Sequence, residues 1–276
     1  MPETGVVVIG WWEVALASLF MLVAGAVSVA LHLGLVRSLA VATLRTYLQL
    51  LVLGFALRWV FDVEGPWLVL GILALMVVTA ARIVLDRSPD APRGLFLDSV
   101  VSMSVVGFAV TFAVTGLVVR VQPWYEARYV IPIAGMVLGN SMNGIALTLE
   151  RVFADLEARA HDVLALVALG ATPWEAARSS VAAAVRAGLI PTINSMSAVG
   201  IVFIPGMMTG QVLAGVDPVV ASGYQIVVML MVSAATALGS ILTVLLSYRK
   251  AFTRDGVYAG PGGTGAIKVD SRERVK

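Results

Sequence analysis

Seven stretches of this chain are each about twenty residues long and almost wholly apolar, at about 8–33, 40–61, 67–84, 99–119, 129–149, 189–213 and 221–248. A helix rises about 1.5 Å per residue, so roughly 20 such residues cross a hydrocarbon layer about 30 Å thick. Water does not suit the outside of such a chain. Only 13% of its residues are charged, against about 25% in soluble domains. The stretches also lack the period-two alternation that a membrane barrel requires. The expected fold is therefore all-α: a polytopic integral membrane bundle of about seven transmembrane helices. Arg45 and Gln49 weaken the second stretch, and Asn194, Ser195, Pro205 and Gly206 weaken the sixth. The first stretch is too long for a signal-peptide core and follows Met-Pro-Glu-Thr-Gly, so it reads as a retained span.

The basic residues order these spans. With the N-terminus outside, Arg37, Arg45, Arg82, Arg87, Arg93, Arg151, Arg159, Arg178, Arg186 and seven basic residues after Tyr248 fall inside, 16 in all; only Arg58, Arg120 and Arg128 fall outside. That asymmetry fits the positive-inside rule and predicts an N-out, C-in protein of the cell's inner or plasma membrane. Residues 1–250 read as the transmembrane domain and 251–276 as a disordered cytoplasmic tail.

One inside segment, about 150–188, is longer than the rest. Leu149, Phe153, Leu156, Ala160, Val163 and Val167 repeat on one helical face. Gly170 can take the left-handed conformation that ends a helix. Thr172-Pro173-Trp174-Glu175 then reads as a capping box, with Thr172 as N-cap, Pro173 at N1 and Glu175 at N3. A second helix, about 173–187, leads back to the membrane, where Gly188 and Pro191 are expected to loosen it. The product is a cytoplasmic helical hairpin. It is either an ordinary helix–turn–helix packed on its own protein or a docking knob with Trp174 as anchor.

Leu169-Gly170-Ala171-Thr172-Pro173-Trp174 resembles the coupling loop of ABC-transporter permeases, although Leu164-Ala165-Leu166 stands where the importer pattern has Glu-Ala-Ala. A more extensive resemblance is carried by Ile131-Pro-Ile-Ala-Gly-Met136 with Gly139-Asn140, Leu169–Pro173, Leu189-Ile-Pro-Thr192, Pro205-Gly-Met-Met208 with Gly210, Ala214-Gly-Val-Asp-Pro218, Tyr224-Gln-Ile226 and Tyr248-Arg-Lys250. On these residues the chain resembles the Fet-type iron-export permease family, which includes plant half-transporters linked to aluminium tolerance. The resemblance implies a permease that dimerises and pairs with a separate ABC-type ATPase subunit, which would bind the ATP and Mg. Its cargo would be iron, moved outward. Residues Gly170, Ala171, Thr172, Pro173, Trp174 and Glu175 would form the ATPase-coupling tip.

The chain's own motifs are compatible with that reading. No Walker A occurs: Gly260–Gly265 is followed by Ala266-Ile267-Lys268. With no Cys and only His32 and His161, thiolate metal sites and multi-histidine cages within one chain are excluded. No metal ligand set is identifiable, and no nucleic-acid partner is expected. Proton-coupled carriers place titrating groups within spans, whereas Glu13, His32, Glu150 and Asp217 fall at span ends or beyond. Asn140, Ser141, Asn143, Asn194 and Ser195 are polar groups inside spans. They either tie helices together or line a translocation pathway. Pro205 and Gly206 should interrupt the sixth span, as in transporters whose freed carbonyls face cargo. Met207 and Met208, being adjacent, cannot both face one ion from one helix. Gly135 and Gly139 permit close helix packing. Two other functions stay open: a self-sufficient carrier or channel, and a membrane-embedded lipid enzyme, for which no acid–base constellation is present.

Overall fold

Six of the seven stretches form helices long and apolar enough to cross a membrane. The computed structural model describes residues 9–63, 65–88, 92, 94–253 and 256–260. Among them the helices are α1 (Trp11–Ala30), α2 (Val36–Asp62), α3 (Pro66–Asp86), α4 (Leu95–Ala113), α5 (Ala127–Ala158), α6 (Ala160–Ala168), α7 (Pro173–Ala198), α8 (Gly206–Leu213) and α9 (Pro218–Ser247). A π-helical segment, Val114–Val119, prolongs α4, and a 3-10 turn, Tyr248–Ala251, prolongs α9.

The remaining stretch, 189–213, is not one helix. α7 starts in the hairpin at Pro173 and passes through Gly188 and Pro191 to Ala198. Gly188 and Pro191 therefore do not loosen the helix as expected. Proline forfeits one backbone hydrogen bond, a loss that neighbouring helices offset in membrane bundles. Gly188 serves instead as a contact point: a Cβ there would strike the Thr148 hydroxyl and come 2.7 Å from the Gly144 carbonyl oxygen. The interruption falls at Val199–Pro205, just before α8, with Gly200 at φ +80°.

α5 is the central helix, packed by α3, α4, α7 and α9. Small residues set the closest approaches. A Cβ on Gly144 would strike Thr236 of α9, one on Gly107 of α4 would lie 2.8 Å from Leu138, and one on Gly239 of α9 would lie 2.9 Å from Ile145. Polar ties then fix one end of the bundle. Lys250 Nζ pairs with Asp98 at 2.6 Å and donates to the Gly94 carbonyl at 2.7 Å. Ser88 donates to the Ala146 carbonyl at 3.3 Å. At this same end Trp174 packs edge-on against Tyr248, 5.5 Å between ring centres. The hairpin tip and the end of α9 thus share one side.

Five of the six tryptophans mark the opposite end. Trp11 and Trp12 open α1, Trp59 closes α2, Trp67 opens α3 and Trp124 precedes α5. All five are exposed, as in the aromatic belt at a membrane–water boundary.

α1 and α2 form an arm that barely touches this body. Ser18 and Tyr47 share a hydrogen bond within the arm, and only Val60, near the end of α2, is buried with α3 and α5. At the other terminus the chain stays packed beyond residue 250, contrary to the expected tail. Ala251, Phe252 and Tyr258 are buried, Phe252 and Tyr258 pack edge to face at 5.6 Å, and Gly256 lies against the Pro173 ring. Two aromatic residues six positions apart, Phe252 and Tyr258, were too weak a sequence signal to show this. The rest of the expected tail, 261–276, lies outside the described residues.

Candidate functional site

The hairpin is specified at every step of its tip. The face predicted from Leu149 to Val163 is the buried one: Leu149, Phe153, Leu156 and Val163 have almost no exposure. At the bend between α5 and α6, Arg159 reaches Asp155 at 3.9 Å, Asp162 at 3.6 Å and Ser179 of α7 at 2.6 Å, which pins the two arms together. α6 ends with Gly170 at φ +94°. The Gly170 N–H donates to Val167 and the Ala171 N–H to Leu166, both at 3.0 Å. This is the paired bond pattern that satisfies a helix's last carbonyls.

α7 begins two residues later with the predicted capping box. The Glu175 N–H donates to Thr172 Oγ1 at 3.3 Å, and the Thr172 N–H donates to Glu175 Oε2 at 2.8 Å. The Thr172 backbone and hydroxyl bonds hold the Glu175 carboxyl below its ordinary value. Behind the tip, burial and then the charge of Glu157 push the Tyr258 phenol up to about 12.

The tip is both rigid and apolar. Trp174 is 38% exposed, with its ring in edge-to-face contact with Tyr248. Leu169 is 87% exposed. Leu169, which the coupling-loop resemblance includes, was not among the tip residues expected to make the contact. Ala171, Thr172, Pro173 and Glu175 build the turn that presents these two side chains.

A second feature lies within the bundle. An open groove of about 450 Å³ runs between α5, α7, α8 and α9. Of the pathway residues predicted from sequence, Asn140, Asn143, Ser195, Pro205, Gly206 and Met207 line it. Ser141, Asn194 and Met208 do not. Ser141 is buried within the bundle, one position round α5 from the groove-lining Asn140, and Asn194 points away on the exposed face of α7. Met207 and Met208 diverge, as adjacent helical residues must.

The groove adds residues that the sequence analysis did not assign to a pathway: Met136, Gly144, Gly188, Thr192, Gln225 and Met229. Gln225 is 6% exposed, and its Oε1 has no hydrogen-bond partner. An amide within an otherwise apolar helix was the signal available for it. Toward the tryptophan-rich end, Met136, Met207 and Val228 also line a second chamber of about 570 Å³, bordered by Arg128, Gln211 and Tyr224. Among the described residues, no three His, Asp or Glu side chains stand close enough to hold a metal ion.

Residues 11–252 match the family described as "Uncharacterised protein family (UPF0014)". Among curated relatives, the chain is 40% identical to a UPF0014 membrane protein of Synechocystis over 76% of this chain and 81% of that one. It is 33% identical to the probable iron export permease protein FetB of Escherichia coli, over 86% of this chain and 90% of that one. To the protein ALUMINUM SENSITIVE 3 of Arabidopsis thaliana it is 34% identical, over 89% of this chain and 88% of the relative. No solved structure matches the chain.

Proposed function

We propose a transport role on one premise: the chain belongs to the UPF0014 family of membrane proteins. On this reading it is the membrane-spanning permease of an ABC transporter. A separate subunit binds and hydrolyses ATP with Mg, and the permease has no catalytic site of its own. Metal export, with iron as cargo, follows the name of the Escherichia coli relative. The N-terminus and the tryptophan-rich end face outward, and the hairpin and the end of α9 face the cytoplasm.

The observation that carries the reading is the hairpin tip. It is capped on both sides of a two-residue turn, cross-braced by Arg159, and crowned by an exposed leucine and a half-exposed tryptophan. An apolar pair held that firmly at the basic end of a membrane bundle suits a pocket on a soluble motor subunit.

A homodimer is supported by the interruption in the sixth stretch. Phe203 and Pro205 line the groove beside Asn140 and Val228, so Val199–Pro205 lies at membrane depth. The carbonyls of Gly200, Ile201 and Val202 accept no hydrogen bond among the described residues, while Ile201 and Val202 are 88% and 78% exposed. Lipid cannot satisfy the carbonyls and water does not suit the side chains, so such backbone belongs against protein. A second copy is the partner that also closes the groove.

The test is copurification and reconstitution with the ATPase. Leu169→Glu should abolish ATPase capture by the detergent-solubilised permease, while the variant itself remains folded because Leu169 contacts so little. Transport in vesicles without any ATPase or nucleotide would instead establish a self-sufficient carrier.

A further inference from the structure

The polar groups along the groove have one chemical character. Asn140, Asn143, Thr192, Ser195 and Gln225 offer amides and hydroxyls. All are neutral, and no carboxylate or imidazole lines either chamber among the described residues. A guanidinium ion stands near each chamber. Arg87, at the end of α3, donates to Asn143 Oδ1. Arg128 borders the outer chamber, its cation 5.7 Å above the Phe61 ring.

A bare divalent or trivalent hard cation needs oxygen ligands carrying negative charge to replace its water. It would find none lining either chamber, where the charged side chain bordering the second is Arg128 and the one bonded to groove-lining Asn143 is Arg87. An anion meets the reverse: guanidinium forks match carboxylate and phosphate oxygens, and amide N–H groups donate to them. Size agrees. A volume of about 450 Å³ falls within the range that encloses a multi-atom solute and far exceeds that of a stripped ion. The clearest sign that the groove is built for a ligand is Gln225, more than nine-tenths buried, aimed into the groove and unpartnered at Oε1. Oε1 is an acceptor, so the desolvation cost it carries would be relieved by a hydroxyl donor on an oxygen-rich solute, such as the one citrate carries, and not by its carboxylate oxygens.

We infer that the groove binds an anionic, oxygen-rich solute, either a free organic anion or a metal carried inside an anionic chelate, and not a naked metal ion. The inference rests on the groove being the transport route, but not on the identity of the motor.

The test uses the full chain in lipid nanodiscs without ATPase, so failure of hairpin docking cannot affect it. Citrate, ferric citrate, iron(II) chloride and silver nitrate are titrated calorimetrically into the native chain and into Asn143→Asp and Gln225→Glu. Silver is included because the thioethers of Met136, Met207 and Met229 suit a soft ion. The citrate probes should bind, and each acidic substitution should weaken them at least tenfold. Equal affinity for citrate and ferric citrate identifies a free anion as the cargo class, and preference for ferric citrate identifies the chelate. Asn143 is exposed, so its variant reports even if Gln225→Glu does not fold. Iron(II) or silver(I) binding more tightly than either citrate probe overturns the inference. So does tighter or unchanged citrate binding in Asn143→Asp, or no citrate binding at all.

Discussion

The arm of α1 and α2 and the core of α5, α7 and α9 are built from equally membrane-compatible sequence, yet they are held in place very differently. Over the most apolar 18 residues of each span, mean hydropathy is 2.0 in α1 and 1.6 in α2, against 1.5 in α5 and 2.2 in the span containing α9. Hydropathy therefore gives no hint that the core is interlocked and the arm almost free. Glycine does. Gly25 and Gly54 in the arm have nothing within 4 Å of a would-be Cβ, whereas Gly144, Gly188 and Gly239 have no room for one. In hydrocarbon, apolarity alone does not draw helices together, because lipid tails are as apolar as leucine. Close van der Waals packing at small residues does.

The largest expected effect is therefore at Gly188. Gly188→Val would force α7 away from Thr148 and the Gly144 carbonyl. Such overpacking costs about 1–3 kcal/mol or more and should lower the thermal midpoint of the detergent-purified protein sharply or prevent its accumulation. Gly25→Ala should do the opposite, adding up to about 1 kcal/mol of helix propensity. If Gly25→Ala or Gly54→Ala destabilises the protein as Gly188→Val does, the arm is packed in the assembly and the contrast fails.

The polar ties differ in the same way. Asp98→Asn removes the ion pair with Lys250, at 2.6 Å and partly buried, and leaves Lys250 bonded to the Gly94 carbonyl. A charged hydrogen bond of this kind contributes about 2 kcal/mol. Asp98→Asn should therefore lower the melting midpoint of the body, and high salt should diminish that loss less than it would for an exposed pair.

Much of this architecture was legible in the sequence because hydropathy, charge bias and helix-end chemistry are local signals. The spans, the hairpin, Gly170 as stop and Thr172–Glu175 as start all follow from residues a few positions apart. What was not legible depends on neighbours distant in sequence. Pro191 looks like a helix breaker until α5 and α9 are seen to hold α7. Gly188 looks like a loosening point until Gly144 and Thr148 appear behind it. Gln225 looks like a stray amide in α9 until α5, α7 and α8 open a groove in front of it.

The hairpin sharpens the contrast further, because it is held by caps and not by glycine packing. Thr172→Ala should cost about 1 kcal/mol, read as earlier proteolysis at the tip and, under the proposed function, weaker capture of an ATPase partner. The cap also has a pH signature. The Glu175 carboxyl titrates below its usual 4.5 in the folded hairpin, so its contribution is complete above that value and lost as pH falls through the lowered one. Glu175→Gln should remove this acid-side loss while keeping an amide able to accept from the Thr172 N–H.

The smallest expected effect comes from the arm's own tie. Tyr47→Phe deletes the hydroxyl that meets Ser18 and leaves the ring in place. Ser18 also donates to the Val14 carbonyl at 3.0 Å, so it keeps a partner when the phenol is gone. Hydrogen bonds between membrane helices average about 0.6 kcal/mol, and here the pair joins α1 only to α2. Melting of the body should then be unchanged within error. The loss should appear only locally, as faster hydrogen exchange in α1 and at the His32–Leu35 turn. If Tyr47→Phe instead lowers the global midpoint by as much as Asp98→Asn, α1 carries load for the whole assembly, and the arm is a structural member with a partner outside its own chain.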